Sequence, residues 1–229
     1  ERDYIQALKW IATYRTGIKD IVFCENSGFD LSSFGYLENI FLRNKKVLET
    51  YNVPMPDSSL FSGKGWGEGI IIKWALRHIR TLAQSRYFAK LTGRYRILNL
   101  RVINNIIQKS ISEYPDIKFI CQSFTINAKP HINTEFFWSD CEFYIDHLCD
   151  SYQEVNDNSG IYLEHVMAQK LIELNENYRI GVIQIPLISN SLVGCSALPF
   201  MTGSEIMKQK FKQMITRTPT VKLLDSFSP

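Results

Sequence analysis

Asp20-Ile-Val-Phe-Cys-Glu-Asn-Ser-Gly28 is a short apolar run, rich in β-formers, that ends in turn residues. It reads as a buried strand of a parallel sheet. Before it, Tyr4, Ile5, Leu8, Ile11 and Ala12 fall at helical spacing over 3–14, and Gly17 ends that helix. After it, Ser32 or Ser33 can cap a helix running to 42, and 46–51 reads as a second strand. Pro54, Pro56 and the glycines at 63, 65 and 67 mark a long irregular loop. Beyond the loop the pattern gives a helix over 68–80, a strand over 87–91, a helix over 102–112 and a strand over 118–124. A polar turn then separates Phe136-Phe137 from 143–148, followed by a helix over 159–174 and a last strand over 178–188. Strands alternating with helices predict an α/β fold, a mostly parallel sheet with helices on both faces. Such sheets place ligands at the carboxyl ends of their strands, here after Phe23, after Tyr51 and around Leu91.

The totals narrow the function classes. A chain of 229 residues with 45% hydrophobic and 21% charged residues is of ordinary globular composition. It divides into a main domain over 1–200 and a tail over 201–229. A net charge of +3 with scattered cations argues against nucleic acid, which calls for a concentrated basic stripe. Five cysteines with no CxxC pair argue against a disulfide framework and a structural zinc site, so a reducing, cytoplasmic setting is expected. No run approaches the eighteen apolar residues of a membrane span, and no signal peptide is visible after Glu1. The four histidines lack HExxH spacing, and no GxSxG elbow is present.

Five segments could carry chemistry. Glu25 and Asn26, at the end of the first strand, could bond a base or ribose, or simply close an Asx-type turn. In Ser62-Gly-Lys-Gly-Trp-Gly-Glu68, alternating glycines let a ligand approach the backbone, Lys64 adds charge, and the helix after Gly67 points its amides where a phosphate could sit. The same residues could instead be a flexible connection capped by Glu68. In Phe88-Ala-Lys-Leu-Thr-Gly-Arg-Tyr95, Lys90 and Thr92 share a face and Arg94 follows Gly93. Two cations at a sheet edge suit a pyrophosphate. Glu164, at the margin of an apolar helical stripe, could act as a general base. Asp140 and Glu142 could hold Mg²⁺ or Mn²⁺ if extended, but a helix starting at Ser139 accounts for both acids as well.

The ordered set Val22-Phe-Cys-Glu-Asn-Ser27, Gly63-Lys-Gly-Trp-Gly-Glu68, Lys90-Leu-Thr-Gly-Arg-Tyr95 and Leu163-Glu-His165 resembles bacterial surface-polysaccharide glycosyltransferases with a GT-A-like fold, which assemble capsule or lipopolysaccharide O-antigen. The resemblance spans residues 3–190 and rests on motif order. It implies a three-layer, Rossmann-like α/β fold and a nucleotide-diphosphate sugar donor, a UDP-sugar first among them, with a glycan or lipid-linked glycan as acceptor. By position it implies Glu25 and Asn26 near the nucleotide, Lys64 and Glu68 near phosphates or sugar, Lys90 and Arg94 near the pyrophosphate, and Glu164 as the acceptor-activating base. Two departures qualify it. The strand that usually precedes the first helix is missing, as in a trimmed N-terminus. The usual Asp-x-Asp metal motif is also missing, with Gly93-Arg94 in its place. Either Asp140 and Glu142 replace it, or Lys64, Lys90 and Arg94 meet the charge of the departing diphosphate without metal; the second is the preferred expectation.

In the tail, Ile206, Phe211, Met214 and Ile215 fall on one side of a basic amphipathic helix over 205–217. It could rest peripherally on the inner face of the membrane, pack on the domain or pair with a second subunit. Two alternatives stand beside the transferase: a metal-dependent nucleotidyltransferase, and a catalytically inactive nucleotide- or carbohydrate-binding module.

Overall fold

The apolar run at 20–24 forms the strand β1 (Asp20–Glu25), which pairs in parallel with β2 (Val47–Asn52), Phe23 opposite Thr50. The structure, a computed structural model, describes residues 2–57, 63–126, 129–188 and 220–224. Two helices cover this pair, α1 (Arg2–Thr13) and α2 (Gly35–Arg43). Their stripes bury Leu8, Ile11 and Ala12 against Leu37, Phe41, Phe23 and Leu48. The buried amine of Lys46 closes the end of α1 by donating to the carbonyls of Ile11 and Tyr14. The Ile11 carbonyl is one that the helix itself leaves open.

The chain continues through α3 (Lys64–His78), the single turn α4 (Arg80–Ala83), β3 (Tyr87–Leu91), α5 (Leu100–Glu113) and β4 (Ile117–Cys121). A small hairpin of β5 (Phe124–Thr125) and β6 (His131–Ile132) leads to β7 (Phe136–Asp140) and the short turn α6 (Cys141–Phe143). Helix α7 (Leu163–Leu174), β8 (Arg179–Ile183) and β9 (Val221–Leu223) complete the described chain.

The main sheet has the order β3-β7-β4-β8-β9, and it is mixed, which corrects the expectation of a mostly parallel sheet. Strand β7 runs antiparallel to both β3 and β4, and β9 runs antiparallel to β8; only β4 and β8 pair in parallel. The connections explain this. Among the described residues of 122–135 there is no helix to carry the chain across a sheet face, so β7 returns antiparallel to β4; β8, reached from β7 through α7, runs antiparallel to β7 and hence parallel to β4. The tail contributes β9 to the sheet, and the helix expected at 205–217 lies outside the described residues.

Pleating sends alternate residues to opposite faces. Phe119, Cys121 and Phe137 pack with Ile72 and Leu76 of α3 and with Met167 and Leu171 of α7. Ile120, Phe136 and Trp138 pack with Ile103, Ile106 and Ile107 of α5 on the other face. The β1–β2 pair is a separate sheet. It joins the rest through side chains: Leu91 packs into its cluster, and Gly93 lies against Phe23 and Tyr4. Among the described residues no helix is long and apolar enough to cross a membrane.

Candidate functional site

The carboxyl end of β3 holds Lys90, whose side chain is only 10% exposed. Its ammonium donates to the Glu68 carboxylate, to Thr92 Oγ1 at 3.1 Å and to the main-chain carbonyl of Thr134. Three acceptors match the three protons of a lysine ammonium. The shared face of Lys90 and Thr92 expected from period two is therefore present. Thr134, itself buried, donates its hydroxyl to Glu164 Oε1 at 3.1 Å. Glu68, Lys90, Thr134 and Glu164 thus form one continuous hydrogen-bonded chain. It links α3, β3, the β6–β7 connection and the first turn of α7.

Packing also brings the start of α7 and the end of β1 against α3. Gly65 lies against Leu163, so the starts of α3 and α7 touch. Asn26, at the end of β1, reaches α3 beside Gly67, and its amide contacts Met55 Sδ at 3.5 Å. Lys64 and Arg94 are exposed and form no ion pair with a described residue. Beneath the network, the Tyr144 phenol is buried, and burial with the nearby Glu68 carboxylate pushes its pKa up.

Glu25 takes the turn-closing role. Its carboxylate accepts from the Ser27 amide at 2.8 and 2.9 Å and from the Phe29 amide at 3.1 Å. Burial works to raise its pKa, but the bonds from Ser27 and Phe29 outweigh it and hold the carboxyl below the ordinary 4.5. A carboxyl with a depressed folded-state pKa contributes its full stability above the unfolded value and loses it as pH falls through the folded one. Glu25→Gln should therefore flatten the acid limb of the stability curve below about pH 4.5 and leave the slope near neutrality unchanged, as urea unfolding at a series of pH values would read.

One expectation needs correction, and one pair of open readings is narrowed. The helix after the glycine-rich loop begins at Lys64, one turn earlier than the expected 68, and its start is already occupied. Asp157 Oδ2 accepts from the Lys64 amide at 2.8 Å. Gly63, at φ +90, makes room: a Cβ there would lie 2.1 Å from that same carboxylate oxygen. A carboxylate therefore already sits at the helix start, the kind of position the sequence reading offers to a phosphate. Second, Asp140 lies opposite Tyr87, whereas Lys90 lies opposite Phe137. Three residues of strand, about 10 Å, separate this acid from the network. Asp140 is buried, caps α6 through the Phe143 amide at 3.1 Å and pairs with Lys118 at 3.2 Å, while Glu142 is exposed. The helix-start reading of these acids is the one the structure follows. Among the described residues no three His, Cys, Asp or Glu side chains gather into a group that could hold a metal ion.

Burial pushes the thiols of Cys24 and Cys121 up to about 12 and that of Cys141 to about 11, so none of them is a thiolate nucleophile near neutral pH. Thr134 and Asp157 carry no signal in the sequence, because each acts on a residue far along the chain. Comparison with protein-family models, with curated proteins and with solved structures finds no match in any of the three.

Proposed function

We propose that this chain is a glycosyltransferase that moves a sugar from a nucleotide-diphosphate sugar to a glycan acceptor. The observation that carries the proposal is the hydrogen-bonded chain from Lys90 through Thr134 to Glu164. It couples a largely buried cation at a strand's carboxyl end with a carboxylate a short distance away. A transfer of this kind builds charge on the leaving diphosphate and takes a proton from the acceptor hydroxyl. Lys90 would meet the first need by exchanging one of its three present acceptors for the diphosphate, assisted by the exposed Lys64 and Arg94, and Glu164 the second. Glu68, and Asn26 beside Gly67 of the same helix as Glu68, would face the sugar and the nucleotide. The GT-A-like arrangement and the role in capsule or O-antigen synthesis belong to this proposal and rest on motif order.

Thr134 is a positioning residue on this account. Thr134→Val keeps the main-chain carbonyl that holds Lys90 but removes the hydroxyl that orients Glu164. A hydrogen bond to a charged group is worth about 1.5–3 kcal/mol, so kcat should fall about tenfold or more while the donor KM stays unchanged. Thr134→Ser should restore the rate; steady-state kinetics on the three proteins separates the terms.

The proposal is tested by thermal unfolding in the presence of UDP-, GDP-, CMP- and dTDP-linked sugars, each with and without Mn²⁺. A ligand that binds the folded state raises the midpoint by mass action. One base class should stabilise clearly above the others. No response to any donor would remove the transferase assignment.

A further inference from the structure

Beside Glu164, three rings lie in a row. His131, from β6, meets His165 edge-on with centroids 5.8 Å apart, and His165 meets Tyr162 at 5.3 Å. The Tyr162 amide donates to His165 Nδ1 at 3.4 Å, which ties the imidazole to the start of α7. Tyr162 is 45% exposed, the preceding Ile161 43%, and Tyr162 belongs to none of the three core clusters. The row is continuous with the polar network. Helix α7 lies along the β6–β7 connection, so that His165 faces His131 while its neighbour Glu164 bonds to Thr134.

The chemistry of the row selects among ligands. An aromatic face offers a flat apolar surface, and a pyranose presents C–H bonds on its faces and hydroxyls around its rim. Burial, together with Lys129 and His131 nearby, holds the His165 imidazole below its ordinary 6.5, so it is neutral near pH 7. A neutral ring face suits an uncharged ligand such as a sugar. A phosphate would favour a protonated ring instead.

We infer that His131, Tyr162 and His165 form the acceptor platform, on which a neutral pyranose of a glycan stacks against Tyr162 with a hydroxyl presented to Glu164. This inference rests on the transferase proposal, naming the acceptor side of the same site. It is tested by following the side-chain NMR signals of these three rings while titrating methyl glycosides of glucose, galactose, mannose and N-acetylglucosamine to about 50 mM, a range suited to the millimolar affinities of single sugars. At least one glycoside should shift all three rings. Tyr162→Ala should weaken that binding about tenfold, and Tyr162→Phe, which keeps the ring, should bind as the wild type does. Absence of ring shifts with all four glycosides, or undiminished binding by Tyr162→Ala, would overturn the platform. Stabilisation by a nucleotide sugar without glycoside shifts would remove the platform and leave the transferase standing. Glycoside shifts without any nucleotide-sugar response would keep the sugar site and remove the transferase.

Discussion

Glu164→Gln should retain nucleotide-sugar binding and lose transfer, with kcat reduced by about 10²–10⁴, the usual contribution of a positioned general base. Glutamine keeps the shape of the side chain and an oxygen for the Thr134 hydroxyl, which now bonds Glu164 Oε1 at 3.1 Å. The helix start around it should therefore persist, since Leu163 on one side and Val166 on the other remain buried. What the substitution removes is the capacity to take a proton. Single-turnover kinetics reads the chemical step, and thermal unfolding with donor reads binding. Unchanged turnover would take Glu164 out of the catalytic role, whereas lost donor stabilisation would move it to the donor side.

Lys90→Met should affect stability and activity together, and the two can be separated. The methionine leaves the Glu68 carboxylate without its cation and the Thr134 carbonyl without its donor. Hydrogen bonds of this charged kind are worth about 1.5–3 kcal/mol each when a partner is removed. Glu68 is partly exposed and can rehydrate, so a net loss of about 2 kcal/mol is expected. Adding Glu68→Met should recover most of that loss, because the uncompensated carboxylate is then gone. Activity should not recover. A fixed cation facing a developing diphosphate is worth about 10²–10³ in rate, and neither methionine supplies it. Chemical denaturation and kcat/KM on the single and double variants would check both parts. Recovery of activity in the double variant would reduce Lys90 to a structural residue.

The parts of the fold that were legible in the sequence are those fixed by local periodicity. Ile103, Ile106, Ile107 and Ser110 repeat at helical spacing and are buried, so α5 lies within two residues of its expected bounds. Strand β1 was marked by a continuous apolar run with turn residues after it. Strand direction was not legible, since it depends on whether a connection carries a crossover helix. The sequence reading places a polar turn directly after Phe136-Phe137, yet Phe136–Asp140 is a strand and all five of its residues are buried. Lys118 makes this possible by pairing with Asp140 and supplying the carbonyl that Ser139 bonds, a contact no local pattern announces. The candidate site divides the same way. Lys90 and Thr92 could be placed on one face from period two, and Glu164 from its place beside an apolar stripe. Their joining through Thr134 and the seating of Asp157 on Lys64 are tertiary facts. Glu25, equally suited to a base contact or a turn, is fixed in the turn by the amides of Ser27 and Phe29.

The most direct measurement is a crystal structure of the chain with the nucleotide diphosphate of the donor that stabilises it most. The account predicts the diphosphate within hydrogen-bond reach of the Lys90 ammonium, the nucleoside along the end of β1 near Asn26, and Glu164 left open toward the aromatic row. A diphosphate bound away from Lys90, or one that buries Glu164 beneath it, would contradict the account.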